Sequence, residues 1–315
     1  LRGHREVSMT VLSDAAPHVL FGLDPLWVAT AVLVLTYAAV ITERVNRAVV
    51  AILGAVLMIV LGVLTQEEAV QGVDFNTIAL LLGMMVIVGV ARRSGVFEYL
   101  AIRSAKVTGG HPAAVLAVLA LATAVLSAFL DNVTTVLLVA PVTIALTRDL
   151  RVDPYPYLFA EIFASNLGGT ATLVGDPPNI LIGSSAHLTY WDFVANLAPL
   201  VLVLLVGQAL AIHFIWGKRL TAAAEDRRRV MAMDARAAIK DVPLLRRSVG
   251  VLAGVTLAFV AAPLLRLEPG SIALGGAAVL LLLDTWGQKP VDQARHVQAH
   301  FADAQWITLL FFVGL

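Results

Sequence analysis

Three acidic residues lie within or beside long apolar runs of the chain. Asp131 follows the run Pro112–Leu130, Asp176 interrupts the run Tyr155–Ala186, and Glu161 lies inside that second run. An acid at membrane depth is costly unless it is solvated, paired or bound to a cation, so such acids are functional candidates by default. Desolvation favours the protonated form of a carboxyl group. The three acids therefore predict coupling to protons or to a cation.

Each of these acids also has a structural interpretation. Asp131 can cap the helix that begins near Thr134, and Asp176 can cap the helix that begins at Pro177. Glu161 can simply hydrogen-bond to a neighbouring helix. Because capping and function can coexist, the sequence leaves both interpretations open.

Neutral oxygen donors surround the first two acids. The amide and hydroxyl side chains are those of Asn132, Thr134, Thr135, Ser165, Asn166, Thr170, Thr172 and Asn179. Three glycines, Gly168, Gly169 and Gly175, free the backbone to turn carbonyl groups toward an ion. Oxygen ligands suit hard cations such as sodium, and they suit water-like solutes. The alternative is tight helix packing, which also uses small and hydroxyl residues.

The stretch Ser165–Asp176 is predicted to be unwound inside the membrane. It lies between two ten-residue half-helices, Tyr155–Ala164 and Pro177–Ala186, each about 15 Å long at 1.5 Å per residue. Unwound backbone at membrane depth survives only where protein buries it or where it lines a cavity. A broken helix of this kind indicates a transporter binding site, and its half-helix N-terminus favours a polar or anionic substrate.

Composition places the whole chain in a membrane. Hydrophobic residues make up 59% of it, charged residues 14%, and its mean hydropathy is +0.86, whereas soluble domains carry about 25% charged residues. The fold class predicted is therefore an all-α polytopic membrane protein. A net charge of zero suggests no nucleic-acid partner, and the absence of Cys excludes disulfides and thiolate metal sites.

Loop charges set the predicted topology. The spans are placed at Leu26–Ile41, Arg47–Leu64, Thr77–Ala91, Pro112–Leu130, Thr134–Leu146, Tyr155–Ala186, Phe193–Trp216, Ser248–Leu265 and Gly270–Leu283, with a last one starting at Trp306. Basic loops follow Ile41, Ala91, Leu146 and Trp216, and the positive-inside rule makes them cytoplasmic. The longest, Lys218–Arg247, is interpreted as a topology determinant that contacts anionic lipid, without chemistry of its own.

The segment Pro112–Leu146 is predicted to be a re-entrant hairpin. Both of its flanks are basic, and its second arm, Thr134–Leu146, has 13 residues and reaches about 20 Å, short of the roughly 30 Å hydrocarbon core. Its tip at Asp131-Asn132 is therefore expected inside the membrane, packed against the unwound stretch Ser165–Asp176 in one wet cavity.

A weak internal repeat relates Phe75–Gly83 to Trp306–Gly314, with Gly54 and Gly276 at like places in the preceding spans. The odd number of crossings between the copies predicts that they are inverted. The expected organisation is an N-terminal flank at 1–25, a first repeat at 26–216, a basic cytoplasmic loop at 217–247 and an incomplete second repeat at 248–315. Within the first repeat, scaffold spans occupy 26–91, the hairpin 112–146, the broken helix 155–186 and a further span 193–216. The chain starts without Met and stops inside a span, so a fragment of a longer protein is expected.

Two motifs carry a family resemblance. They are Leu130-Asp131-Asn132-Val133-Thr134-Thr135, and Ala164–Thr172 followed by Gly175-Asp176-Pro177-Pro178-Asn179. The chain resembles the ion transporter superfamily, and within it the branch of arsenite-efflux proteins, NhaD-type sodium/proton antiporters and the P protein, with a citrate transporter-like domain. The resemblance implies a scaffold domain, a mobile transport domain with elevator-type motion, a homodimer and a plasma-membrane location. It leaves open a soluble ATPase partner.

The function expected is secondary active transport. The first hypothesis is proton-coupled efflux of arsenite-like oxyacids or other inorganic ions, and the alternative is sodium/proton antiport, with sodium at the same residues. The dicarboxylate-transporting branch has neutral residues where this chain has Asp131 and Asp176, which argues against sodium/dicarboxylate symport. A non-transporting membrane protein remains open. Neither a His-Glu-x-x-His motif nor a serine elbow occurs, so no enzyme and no cofactor other than the coupling ion are predicted.

Overall fold

The computed structural model describes Val19, residues 22–217 and residues 219–315. Most of the predicted flank 1–25, and Lys218 at the start of the basic loop, lie outside the described residues. Within them the regular secondary structure is entirely helical. The prediction of an all-α polytopic membrane protein is confirmed, since several helices are apolar and of membrane-crossing length.

The helices are α1 Pro25–Ile41, α2 Arg47–Val60, α3 Gln66–Gly72, α4 Phe75–Arg93, α5 Val96–Val107, α6 Pro112–Ser127, α7 Asn132–Leu150, α8 Tyr155–Thr170, α9 Pro177–Ser185, α10 Tyr190–Trp216, α11 Ala224–Ala232, α12 Val242–Leu265, α13 Pro269–Thr285, α14 Pro290–Ala302 and α15 Trp306–Gly314, with a 3-10 helix at Ala235–Ala238. By length and composition α4, α7, α10 and α12 can each cross a membrane, and α1, α2, α6 and α13 are shorter apolar helices. The sequence predicted the apolar helices and missed the short polar ones, α3, α5, α11 and α14.

The chain divides into two compact units. The first combines residues up to Val73 with Trp306–Leu315, and the second runs from Asp74 to Gln305. In the first unit α15 packs along α2. A Cβ atom built on Gly314 would lie 2.6 Å from the carbonyl carbon of Ala51, so only glycine permits this approach of the two backbones. Arg47 and Thr308, which lie near the starts of the two helices, are also joined, since Arg47 donates to the Thr308 hydroxyl at 3.5 Å. Because Ala51 and Gly314 both lie further along, the two helices are parallel.

In the second unit α13 packs along α4 in the same way. A Cβ atom on Gly83 would lie 2.5 Å from the carbonyl carbon of Ala273, and the backbone N–H of Gly270 donates to the Asn76 side chain at 2.8 Å. Gly83 and Gly314 are equivalent in the proposed repeat. Their contacts, Ala273 and Ala51, each precede the equivalent glycines of the two copies by three residues. One type of contact thus occurs twice, and the inverted relation of the copies stays a prediction.

The second arm of the hairpin is longer than predicted. Helix α7 has 19 residues, which reach about 28 Å, so the expectation of a 13-residue arm ending at Leu146 was wrong. The Thr147 hydroxyl bonds to the carbonyl of Thr143 within the helix, and the helix ends only at Arg151, where φ is +55°. The C-terminal part of α7 is covered by α5 and α11. The re-entrant topology stays a prediction that now depends on the basic flanks.

The break in the second apolar run is shorter than predicted. Helix α8 continues to Thr170, and only Ala171–Asp176 is non-helical before α9 begins. The first six residues of the predicted unwound stretch are therefore helical, and they include the candidates Ser165, Asn166, Gly168, Gly169 and Thr170. The Thr170 hydroxyl bonds back to the Asn166 carbonyl at 2.8 Å, so it is satisfied inside the helix.

The basic loop folds onto the base of the hairpin. The ammonium group of Lys106 donates to the Met233 carbonyl at 2.7 Å, and Arg227 donates to the Gly109 carbonyl at 3.1 Å. Arg151 lies 3.5 Å from the Asp226 carboxylate. The loop therefore has a structural role that its interpretation as a topology signal did not include.

Candidate functional site

The hairpin tip and the break are brought together by the parallel packing of α6 and α8. At one end of this pair the Tyr157 hydroxyl donates to the Pro112 carbonyl at 2.9 Å. At the other end Gly168 lies directly against the backbone of Ala124, with no room for a Cβ atom. Both helices therefore end at the same level, and the segments that follow them meet.

Three hydrogen bonds join the tip to α8 and the break. The Ser127 hydroxyl donates to the Ser165 carbonyl at 2.7 Å, and the Thr172 hydroxyl donates to the Ala128 carbonyl at 2.5 Å. On the more exposed side, the Asn132 amide donates to the side-chain oxygen of Asn166 at 2.8 Å. The prediction that the tip packs against the broken helix is confirmed.

Two glycines permit this contact. A Cβ atom on Gly175 would lie 2.5 Å from the Ser127 carbonyl oxygen and 2.6 Å from that of Gly169. A Cβ atom on Gly169 would in turn lie 2.6 Å from the Gly175 carbonyl oxygen. These distances show that the backbones of the tip, α8 and the break pack in direct contact, and the prediction that their carbonyl groups bind an ion stays a prediction.

Asn179 closes the end of α8. Its buried amide nitrogen lies near three carbonyl oxygens, at 3.4 Å from Gly169, 3.2 Å from Thr170 and 2.9 Å from Thr172. These are the carbonyls that a helix end leaves without intrahelical partners. The amide nitrogen of Asn179 is therefore used by the fold, and ligand binding by this residue stays a prediction.

Asp131 caps α7. Its carboxylate accepts from the backbone N–H of Thr134 at 2.9 Å, and its carbonyl accepts from the buried Thr135 hydroxyl at 3.0 Å. The capping interpretation of Asp131 is therefore confirmed. The Thr134 hydroxyl accepts from the side-chain amide of Gln305 at 2.6 Å. Sequence reasoning missed Gln305, because nothing in its neighbourhood marked it.

Asp176 stands at the N-cap position of α9, as predicted, but its side chain makes no capping bond. Pro177 and Pro178 have no N–H to offer. The N–H of the next residue, Asn179, donates to the backbone carbonyl of Asp176 at 3.0 Å and not to its carboxylate. The half-buried carboxylate of Asp176 is therefore not used as a cap, and the charge of Asp131 contributes to its electrostatic surroundings.

A cavity of about 190 Å³ lies between α4 and the hairpin tip. Its polar lining residues are Arg92, Asp131, Thr134, Asp303 and Gln305, and its apolar walls come from α4, α7, Val174 and Ile180. At about 30 Å³ per water molecule, it can hold about six. Arg92 had been assigned to topology alone, and Asp303 lies in a polar connection that carried no motif.

Glu161 lies outside this cluster, one helical turn before Ser165. It is 1% exposed, and its carboxylate accepts from the Thr143 hydroxyl of α7 at 2.5 Å. The interpretation of Glu161 as a hydrogen-bond partner of a neighbouring helix is confirmed. Its predicted part in proton coupling stays a prediction.

Comparisons with known proteins agree with this arrangement. The family model described as citrate transporter matches residues 37–315. The chain is 42% identical over 292 residues to an uncharacterized transporter of Mycobacterium tuberculosis, an alignment that covers 91% of this chain and 66% of that protein. It is 39% identical, with the same coverage, to a 46 kDa membrane protein of Mycobacterium leprae. It is 40% identical to the human P protein over 204 residues, which cover 61% of this chain and 24% of that protein.

The chain thus spans 66% of the length of its mycobacterial relatives. The family match covers most of the chain, including the hairpin, the broken helix and both predicted copies of the repeat. Together with the apolar helices of membrane-crossing length, this match shows that the chain belongs to the citrate transporter family and is a multi-pass membrane chain.

Proposed function

We propose that the full-length protein is a secondary active transporter that exports arsenite-like oxyacids or other inorganic ions in exchange for protons. The observation that carries this proposal is the contact between the hairpin tip, which ends at Asp131, and the break, which ends at Asp176. Neutral oxygens of Asn132, Asn166 and Asn179 surround that contact. The substrate and the coupling ion would bind there.

The cavity beside Asp131 favours a small substrate. Its volume of about 190 Å³ is below the roughly 300–1,000 Å³ of pockets for drug-sized ligands. Arsenite at neutral pH is mostly an uncharged trihydroxy species, which hydroxyl and amide groups can bind. Reversible binding of this kind needs no thiolate, so the absence of Cys does not oppose the proposal.

Coupling follows from the like charges. Two ionised carboxylates at close range repel each other, so a proton on one of them, or a cation between them, stabilises the site. A proton and a cationic or polar substrate then compete for the same place, which is the basis of exchange. The elevator-type motion and the homodimer that the resemblance implies remain part of this proposal, as does binding by the second repeat.

The alternative is sodium/proton antiport. Two carboxylates and several neutral oxygens also suit a sodium ion, since hard cations prefer oxygen ligands. Citrate, which gives the family its name, is less favoured as the substrate of this chain. Its carboxylates would meet the negative charges of Asp131 and Asp176 instead of neutral residues.

The test is transport by the full-length protein in proteoliposomes with an imposed pH gradient, comparing arsenite, sodium and citrate. The proposal expects arsenite movement driven by the proton gradient, and the alternative expects sodium movement only. Movement of citrate with neither of the others would contradict both. Movement of none of the three, by protein shown to be folded, would favour a non-transporting membrane protein.

A further inference from the structure

The hairpin arms and α8 bury a set of polar side chains between them. Its members are each no more than 1% exposed, and they are Thr123, Ser127, Thr135, Thr143, Thr147, Glu161 and Ser165. The hydroxyls of this set bond to backbone carbonyls, with one exception. Thr143 instead donates to the Oε1 atom of Glu161. This interface thus contains one acid, and a single side-chain hydroxyl serves it.

The other carboxyl oxygen of Glu161 is buried without a hydrogen-bond partner among the described residues. An ionised carboxylate presents about four acceptor sites, so one donor leaves it far from satisfied. Burying an ionised carboxylate without a partner costs far more than burying the neutral acid. The hydrogen bonding around Glu161 therefore fits a carboxyl group that holds a proton.

No opposite charge compensates Glu161. Helix α6 carries no titratable residue, and in α8 the neighbouring Tyr157 donates its hydroxyl to Pro112. The titratable residues of the other helices packed on α8 lie near the helix ends, and they are Arg148 and Asp149 on α7 and Tyr190, Asp192 and His213 on α10. Within residues 22–217 and 219–315, no ion pair includes Glu161.

We propose that Glu161 is a proton-binding site in its own right, neutral while the hairpin is packed on α8, and that it releases its proton to water when the packing opens during transport. In that step the carboxyl O–H bond breaks, its electron pair stays on the oxygen, and a water molecule takes the proton. The release rests on the proposed function, because it needs a transport cycle. Asp131 and Asp176 would bind the transported solute and take part in coupling, while Glu161 would be a second site that holds a proton.

The position of Glu161 suits this division. It precedes Ser165 by four residues, about 6 Å along the helix, and Ser165 accepts the hydrogen bond from the hairpin tip. Its partner Thr143 follows Pro141, a proline inside α7. Proline removes an intrahelical hydrogen bond and is a usual site of bending. Bending of α7 at Pro141 would move Thr143 away and admit water to Glu161.

Infrared spectroscopy of the full-length protein tests the proton directly, whatever the substrate is. We expect a C=O stretch of a protonated carboxyl group at neutral pH that Glu161→Gln removes. Glu98→Gln is the matched control, because Glu98 on α5 also has a buried oxygen without a partner but is a more exposed residue than Glu161, and this variant should retain the band of Glu161. A wild-type spectrum without such a band, or one that Glu161→Gln leaves unchanged, would overturn the proposal.

Two transport measurements then test release, with arsenite and sodium as probes. One is movement driven by a pH gradient, and the other is exchange of the same solute at equal pH on both sides. Glu161→Gln should lose the first and keep the second. If it keeps pH-driven movement, Glu161 is a neutral structural acid and proton release at this site is refuted.

Thr143→Val covers the case in which Glu161→Gln loses both activities. The variant keeps the acid and removes its donor, so the proton is held more tightly and pH-driven transport should shift to higher pH. An unchanged pH profile in Thr143→Val, together with loss of both activities in Glu161→Gln, would also overturn the proposal. A wild-type protein that moves neither probe contradicts the proposed function, while the infrared result still decides the proton site.

Discussion

The hairpin tip and the break of the second apolar run both place an aspartate directly before a helix, but only one of the two side chains caps its helix. Asp131 accepts from the backbone N–H of Thr134, whereas Asp176 is followed by Pro177 and Pro178 and accepts no capping bond. An N-cap side chain accepts from an N–H two or three residues later. Three residues after Asp176 that N–H belongs to Asn179, and it donates to the backbone carbonyl of Asp176 and not to its carboxylate. Whether an aspartate before a helix acts as a cap therefore depends on where the next free N–H groups donate.

The first test of this comparison is the substitution Asp176→Asn, for which we expect the largest effect. It should abolish pH-driven transport and leave the unfolding temperature of the purified protein unchanged, because no capping bond is lost. Transport in proteoliposomes and thermal unfolding in detergent measure the two effects. Wild-type transport with an unchanged pH dependence would show that Asp176 takes no part in coupling.

Gly168→Ala tests whether the tip and the break must touch. The new methyl group would meet the backbone of Ala124, and overpacking of this kind costs about 1–3 kcal/mol. We expect a lower unfolding temperature and weaker transport. Gly207→Ala in α10, where nothing lies within 4 Å, is the control and should behave like the wild type. Equal stability of the two variants would contradict the close packing of α6 and α8.

Two substitutions of Asp131 separate its cap from its charge. Asp131→Ala should cost about 1 kcal/mol of stability, the usual value of an N-cap, while Asp131→Asn keeps most of the cap. Both should lose pH-driven transport. Thermal unfolding and transport assays again report the two properties. If Asp131→Asn transports normally, the acid is a cap only, and the charge at the site belongs to Asp176.

We expect the smallest effect at His300. This test separates a pH dependence of folding stability from the pH dependence of transport that the two aspartates cause. Burial lowers the pKa of His300, and Arg93 lowers it further, while the hydrogen bond to the Asp284 carboxylate and the charges of Asp284 and Asp303 oppose this shift. The unfolded state then binds more protons than the folded state as pH falls below the usual imidazole pKa of about 6.5. Stability is therefore lost as pH falls through this window.

His300→Gln should remove this acid-side loss of stability. His296→Gln is the matched control, because His296 is exposed on the same helix, α14, and its variant should keep the loss. Unfolding temperatures measured between neutral and mildly acidic pH give the comparison. An acid-side loss that persists in His300→Gln would assign it to other groups.

The apolar helices and the contact between tip and break could be predicted from the sequence. Placing polar groups in the membrane costs free energy, so membrane helices are apolar and the polar segments between them pack together. It did not locate helix ends. Thr147 and Thr170 lie inside α7 and α8 with their hydroxyls bonded to carbonyls of their own helix, and no local pattern distinguishes this from a break. The partners of Thr134 and Thr143 were also unpredictable. Gln305 is far from Thr134 in the sequence, and Glu161 bonds to Thr143 from another helix.

The contact between α15 and α2 joins two segments that the ribosome makes at different times. Arg47 and Thr308, which this contact joins, are 261 residues apart. At about 5–20 residues per second, the ribosome needs on the order of 13–50 s to make that interval. During this interval α15 has not been made, so the surface of α2 around Ala51 is without the helix that covers it in the folded protein. Lipid or another protein covers this surface until α15 is available.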